Sequence, residues 1–118
     1  MCAEVFARLR SIMQPYAQQL VCANDSENEL SLNTNHIQKN KQPLWFGGVK
    51  LQKHYVSYYL MPVYLNPALL ESISPNLKKR MQGKSCFNFT TPDEALFAEL
   101  ARLTEVGFRY YQELGYVE

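Results

Sequence analysis

Residues 55–61 constrain the fold most, because they have the composition of a β-strand and are followed directly by a proline. β-Branched and aromatic side chains favour strands, and Pro62 cannot donate a hydrogen bond to a neighbouring strand, so pairing should stop there. Successive side chains of a strand point to opposite faces. One face is therefore predicted to carry Val56, Tyr58 and Leu60, and the other to carry Tyr55, Ser57, Tyr59 and Met61.

Three other segments are predicted to be strands of the same sheet: residues 29–34, 44–51 and 85–89. Within the second of them, the Gly47-Gly48 pair weakens the strand interior and indicates a bulge or a close approach by another group. Only three residues separate this segment from the strand at 55–61, which favours antiparallel pairing of the two.

Both ends of the chain have the spacing of amphipathic helices. In residues 3–20, apolar side chains recur every three or four positions, and Pro15 is expected to kink or split the helix near Met13-Gln14. In the last segment, Thr91-Pro92-Asp93-Glu94 combines a capping box with early acids, and Gly115 is expected to end the helix.

Two shorter helices are predicted between the third and fourth strands. Asn66-Pro67 and Ser74-Pro75 each place a capping side chain before a proline, which is tolerated in the first helical turn. The expected helices cover residues 67–73 and 75–81, and Gly83 is expected to adopt the left-handed conformation that follows a helix.

The predicted order is α-β-β-β-α-α-β-α in a single α+β domain over residues 1–118. A chain of 118 residues with 47% hydrophobic content can bury one core. The two long helices are expected to cover one face of an antiparallel sheet of about four strands. The opposite face is then covered by the short helices, left exposed, or joined to a partner.

The sequence argues against a membrane partner and against secretion. No apolar run approaches the roughly 20 residues of a membrane-spanning helix, and the first residues lack the pattern of a secretory signal. The three cysteines are Cys2, Cys22 and Cys86, an odd number with no close pair. This usage predicts reduced thiols and a cytoplasmic location.

No group of residues has the spacing of a catalytic or metal centre. Gln82-Gly83-Lys84-Ser85 resembles the end of a phosphate-binding loop, but the motif requires a glycine where the chain has Lys78. His36 and His54 lack the partners of a zinc site, and nothing in the sequence identifies a base for Cys86 as a nucleophile. We therefore expect no enzymatic activity and no resident cofactor.

Charge is unevenly distributed along the chain. Residues 39–84 contain eight basic residues and one acid, a net charge of +7, whereas the rest carries four basic and ten acidic residues, a net of −6. Such a layout is typical of flanking helices that neutralise the middle within one fold, or of a surface that receives an anion.

A binding face is predicted where this positive charge meets the aromatic strand. Rings and hydroxyls on one strand face can form a pocket floor with stacking and hydrogen-bonding capacity; the alternative is that these tyrosines belong to the core. The near-zero net charge and the lack of an RNA-recognition signature argue against a nucleic-acid partner. The predicted ligand is small and polar or anionic, and its predicted site consists of Tyr55, Ser57, Tyr59, Lys78, Lys79, Arg80, Gln82 and Lys84.

Four segments within roughly residues 44–104 carry a resemblance to a known family: Tyr55-Val56-Ser57-Tyr58-Tyr59-Leu60-Met61-Pro62, Leu69-Leu70, Leu77-Lys78-Lys79 and Gly83-Lys84-Ser85-Cys86-Phe87-Asn88-Phe89. On these segments the chain resembles the YdhG-like family of domains of unknown function. The resemblance implies a small α/β fold with a curved antiparallel sheet, and it supplies no agreed catalytic residues. Residues 62–65 and the long C-terminal helix depart from the family pattern.

Two alternative functions follow from the resemblance and from the charge layout. One bacterial relative in that family is described as a frataxin-like iron chaperone, which makes iron handling an alternative. Its oxygen ligands would come from Asp25, Glu27, Glu29 and the acids of the terminal helix. The other alternative is an interaction module, in which the basic middle of the chain docks on the acidic flank of a second copy to form a homodimer, or on another protein.

Overall fold

The structure is a computed structural model that describes residues 2–117. Helix α1 covers Cys2–Met13 and is followed by a 3-10 helix at Gln14–Gln19. The strands are β1 (Val21–Asp25), β2 (Glu29–Ile37), β3 (Pro43–Leu51), β4 (Val56–Leu60) and β5 (Cys86–Phe89). The remaining helices are α2 (Met61–Leu65), a 3-10 turn at Pro67–Leu70, α3 (Pro75–Lys78) and α4 (Glu94–Glu113).

The strands form one antiparallel sheet in the order β1-β2-β3-β4-β5, so each strand lies beside its neighbour in the sequence. This confirms the predicted α+β class with flanking helices. The sheet has five strands where about four were expected, because β1 was not predicted. All five residues of β1 are exposed, so this edge strand shows no hydrophobic alternation, and only its pairing with β2 defines it.

The helices pack on one face of the sheet, which we call the inner face. Val5, Leu9 and Met13 of α1 are fully buried at four-residue spacing against this face, as a helix period requires. A bidentate ion pair between Arg8 and Glu94 links α1 to the start of α4. Strand residues on the inner face are buried, among them Leu30, Leu32, Phe46, Val49, Val56, Tyr58, Leu60, Phe87 and Phe89.

A buried relay of hydroxyl groups joins β4 to α4. The Tyr58 hydroxyl lies 2.6 Å from Thr104 Oγ1, which in turn donates to the Leu100 carbonyl at 2.7 Å. Tyr58 and Thr104 are both fully buried, and burial raises the pKa of Tyr58. Side-chain hydrogen bonds thus join the middle of β4 to α4.

A bulge in β3 occurs at the predicted glycine pair. Leu32 pairs with Gly47 and the next residue, Asn33, pairs with Trp45, so Phe46 is the extra residue. A Cβ at Gly47 would lie 2.3 Å from the carbonyl oxygen of Tyr59. The prediction of a bulge or a close approach is therefore confirmed in both respects, and the bulge turns Phe46 inward and Trp45 outward.

Helix boundaries follow the prolines and caps only in part. As predicted, α1 ends at Met13, just before Pro15, and Gly115 with a φ of 82° follows the end of α4. The prediction of a capping box that begins at Thr91 is wrong, because the N-cap of α4 is Asp93. The Asp93 carboxylate accepts a hydrogen bond from the Leu96 N–H at 3.1 Å.

The segment between β4 and β5 differs most from the prediction. Helix α2 was not expected, and it begins at Met61, where the strand was predicted to continue. Ser74 caps α3 as predicted, but α3 ends at Lys78 rather than Met81. Asn66 makes no capping hydrogen bond, and Pro67–Leu70 is a 3-10 turn. Gly83 has the expected positive φ of 80°, within the turn that leads to β5.

Candidate binding face on the outer side of the sheet

The face of the sheet opposite the helices, which we call the outer face, carries side chains that remain open to solvent. Trp45, Tyr59, Cys86 and Asn88 are half-buried there, and Lys50 is exposed. Met81 pairs with Phe87 through a single antiparallel β-bridge, so the chain around Met81 forms a short sixth segment beside β5. The register of the strands arranges the outward residues in two rows across the sheet.

The first row, which we call the ring row, consists of Ser31, Gly48, Tyr59, Cys86 and Gln82. The Trp45 indole lies across the gap left by Gly48, where a Cβ would be 3.4 Å from its ring. Its Nε1 donates to Ser31 Oγ at 2.9 Å, and its ring centroid lies 5.3 Å from that of Tyr59, with the planes tilted by 44°. Two large aromatic surfaces are thus held side by side on the outer face.

The second row, which we call the polar row, lies two residues away along each strand, roughly 6.6 Å. It consists of Glu29, Lys50, Ser57, Asn88 and Arg80. Ser57 Oγ donates to Asn88 Oδ1 at 2.7 Å, and Ser57 is only 2% exposed. The hydrogen-bonded side chains of Ser57 and Asn88 therefore occupy the middle of this row, with Lys50 on one side and Arg80 on the other.

Cys86 joins the two rows as a neutral donor. Its Sγ donates to Asn88 Oδ1 at 3.4 Å. Burial raises the pKa of the Cys86 thiol, and hydrogen bonds with Ser57 and Tyr59 oppose that shift. A raised pKa keeps the thiol protonated at neutral pH, and the thiolate is the nucleophilic form. The arrangement thus suits binding better than nucleophilic chemistry.

The structure brings four of the predicted site residues together. Ser57 and Tyr59 occupy the outer face, as the alternation predicted, and Arg80 and Gln82 stand at register positions opposite Asn88 and Cys86. The paired backbone contacts are Asn88 N to Arg80 O at 2.8 Å and Gln82 N to Cys86 O at 2.9 Å.

The other predicted residues lie apart from these rows. Tyr55 precedes β4 in the turn after β3 and is 38% exposed. Lys78 ends α3 and Lys79 follows it, and both are exposed. The Lys84 ammonium lies over the ring of Tyr64, 5.9 Å from its centroid. The predicted set is therefore split between the outer face and a separate part of the surface.

Trp45, Lys50 and Asn88 belong to the outer face but were not predicted. Strict alternation back from Gly48 assigns Trp45 to the inner face, and the bulge at Phe46 reverses that assignment. Lys50 and Asn88 obey simple alternation within their strands. Asn88 was detectable, because it lies between the buried Phe87 and Phe89.

Two of the acids proposed as iron ligands, Asp25 and Glu29, have protein partners of their own. Asp25 Oδ1 pairs with Arg10 Nη2 at 2.7 Å, and Glu29 Oε1 accepts from Asn24 Nδ2 at 3.3 Å. Within residues 2–117, no three His, Cys, Asp or Glu side chains converge in a way that could hold a metal ion.

Comparisons with known proteins add no relative. No protein-family model matches the chain, and neither a curated protein nor a solved structure is significantly similar to it. Across the helices of the described chain, none is both long enough and apolar enough to span a bilayer.

Proposed function

We propose that this protein is a non-enzymatic binding domain whose outer sheet face holds a small molecule that combines a flat ring with an anionic group. The observation that carries the proposal is the adjacency of the ring row and the polar row. Aromatic surface and cationic side chains lie within one or two strand positions of each other, on a face where the helices do not pack.

The ring row supports the flat part of the ligand. Stacking on aromatic side chains contributes about 1–3 kcal/mol for each base-sized ring. Trp45 is fixed by its bond to Ser31, and Tyr59 is fixed by contact with Trp45, so little side-chain freedom is lost on binding. Asn88 lies next to Cys86 and Ser57, and its Oδ1 accepts from both of them, which leaves its Nδ2 amide to orient the ligand by a hydrogen bond.

The polar row supports the anionic part. Lys50 and Arg80 are exposed, and three strand spacings separate their backbones, about 14 Å. Glu29 is the cross-strand neighbour of Lys50, which lowers the positive potential on that side. Arg80 has no such neighbour in the row, so the anion is expected on the β5 side, beside Asn88.

A titration with three related probes tests the proposal. Trp45 is the single tryptophan of the chain, so its fluorescence reports directly on the ring row. We expect adenosine 5′-monophosphate to change this fluorescence with saturation, at lower concentration than adenosine or inorganic phosphate. Equal responses to all three probes, or no saturable response to the monophosphate, would contradict the proposal.

Matched variants separate the two halves of the site. Tyr59→Leu keeps the apolar bulk but removes the ring, and we expect at least fivefold weaker binding of the monophosphate and of adenosine. Arg80→Gln should weaken only the monophosphate, by up to about fivefold, as exposed ion pairs do. Tyr110→Leu and Arg102→Gln, both on α4, make the same chemical changes away from the outer face and should leave binding unchanged.

We also propose that the chain belongs to the YdhG-like family, on the residues that carry the resemblance. Two features of the family pattern support this proposal. One is the aromatic strand, which corresponds to β4, and the other is the Lys84-Ser85 turn before a short strand, which corresponds to β5. Membership of this family concerns the ancestry of the chain and does not identify its ligand, which the titration described above tests.

A further inference from the structure

A concave region lies away from the outer face, where α2, the 3-10 turn and the segment before β5 meet. We call it the end cleft. Its walls are apolar and consist of Val63, Pro67, Leu70 and Met81, with Tyr64 and Lys84 also among its lining residues. The cleft has a volume of about 520 Å³. This volume falls within the range of small-molecule sites, which are mostly apolar with few polar groups.

One cation belongs to this apolar cleft. The Lys84 ammonium lies 5.9 Å from the centroid of the Tyr64 ring, within the range of a cation–π contact. The ion pairs found in residues 2–117 use Arg8, Arg10 and Arg109, so Lys84 has no carboxylate partner among the described residues. Its charge is therefore available to an anion.

The surrounding sequence strengthens the preference for an anion. Lys78 and Lys79 come shortly before Lys84 in the sequence, and residues 39–84 contain a single acid, Glu71. A concave surface with low-dielectric walls concentrates the field of such charges. A carboxylate is thus favoured over an ammonium group at the Lys84 position.

The turn that carries Lys84 is attached to the sheet on both sides. The Leu60 N–H donates to the Ser85 carbonyl at 2.9 Å, and the Gln82 N–H donates to the Cys86 carbonyl at 2.9 Å. Met81 is bridged to Phe87. The cation is therefore presented from a fixed backbone position, which reduces the entropy lost when a ligand binds.

We propose that the end cleft binds a small amphipathic monocarboxylate, with its apolar body against Pro67, Leu70 and Met81 and its carboxylate on Lys84. This site is separate from the outer face, so the proposal does not depend on the function proposed for that face.

The test uses octanoate, 1-octanol and acetate as probes, followed by amide chemical shifts of the full chain. We expect octanoate to cause saturable shifts in residues 63–70 and 81–85, and acetate at the same concentration to cause none. Lys84→Gln should weaken octanoate binding about three- to fivefold and leave octanol binding unchanged. Lys84→Glu should weaken octanoate further, because like charges then meet.

Lys53→Gln is the matched control, since it removes the same charge from an exposed position in the turn between β3 and β4. It should bind octanoate as the wild type does. Three results would overturn the proposal: octanoate shifts that fall outside the end cleft or do not saturate, acetate shifts equal to those of octanoate, or Lys84→Gln binding octanoate as tightly as the wild type.

Discussion

The hydroxyl relay between Tyr58 and Thr104 leads to a prediction in which a second mutation restores stability. The Leu100 carbonyl can only accept, so Thr104 Oγ1 donates to it, and the Tyr58 hydroxyl must then donate to Thr104 Oγ1. Thr104→Val removes the acceptor and leaves the Tyr58 hydroxyl buried without a partner. Tyr58→Phe removes the donor, and Thr104 still donates to Leu100.

The magnitudes follow from which group is left unpaired. Tyr58→Phe should cost about 1 kcal/mol, the net value of one buried hydrogen bond. Thr104→Val should cost about 2–3 kcal/mol, because a buried hydroxyl without a partner adds its desolvation penalty. The double variant replaces both groups by apolar groups of similar shape and should cost about 1 kcal/mol. Tyr58→Phe is therefore expected to stabilise the Thr104→Val protein by about 1–2 kcal/mol.

Urea unfolding of the four proteins measures this cycle, with thermal midpoints as a second readout. At this chain length, 1 kcal/mol corresponds to roughly 4 °C in the midpoint. If Tyr58→Phe lowers the stability of the Thr104→Val protein as it lowers that of the wild type, the Tyr58 hydroxyl still has a hydrogen-bond partner in the Thr104→Val protein. The hydrogen-bond relay described above is then wrong. The relay joins α4 to β4, the strand that carries Ser57 and Tyr59.

Two further predictions test the bulge and an acid-sensitive contact. Gly47→Ala should destabilise by about 1–3 kcal/mol in urea unfolding, since its Cβ would lie 2.3 Å from the Tyr59 carbonyl oxygen, and wild-type stability would contradict the close approach. The pKa of Glu99 is lowered by hydrogen bonds from the Ser74 hydroxyl and N–H, at 2.7 and 2.8 Å. Its contribution is thus present above the unfolded pKa of about 4.3 and lost as pH falls through the lower folded value. The stability difference between the wild type and Glu99→Gln should shrink below about pH 4; a difference independent of pH would refute this.

Local signals in the sequence were sufficient for most of the sheet and for the long helices. Alternation in residues 55–61 placed Val56, Tyr58 and Leu60 on one face and Ser57 and Tyr59 on the other, as observed, but it left open which of the two faces the core. Pro15 correctly indicated the end of α1. The Gly47-Gly48 pair indicated the bulge, and Gly115 indicated the end of α4. Each of these features is decided by a few neighbouring residues.

Features decided by tertiary pairing were not predictable in this way. β1 has no buried side chain, and α2 begins at Met61 within an apparent strand, because Pro62 and Val63 are buried against the core there. Trp45 was missed because one extra residue in the β3 ladder reverses its face. Arg80, Gln82 and Lys84 were predicted to lie in one site, but Arg80 and Gln82 pair with β5 whereas Lys84 lies in the turn that precedes that strand.

The central claim, that the outer face binds a flat anionic ligand, is tested most directly by mapping adenosine 5′-monophosphate on the protein by amide chemical shifts. We predict saturable shifts at the residues of the ring row and the polar row, above all Ser57, Tyr59, Cys86 and Asn88, with the exposed side of α4 unaffected. Shifts that leave β4 and β5 unchanged at saturation would contradict the claim, whatever other part of the surface responds.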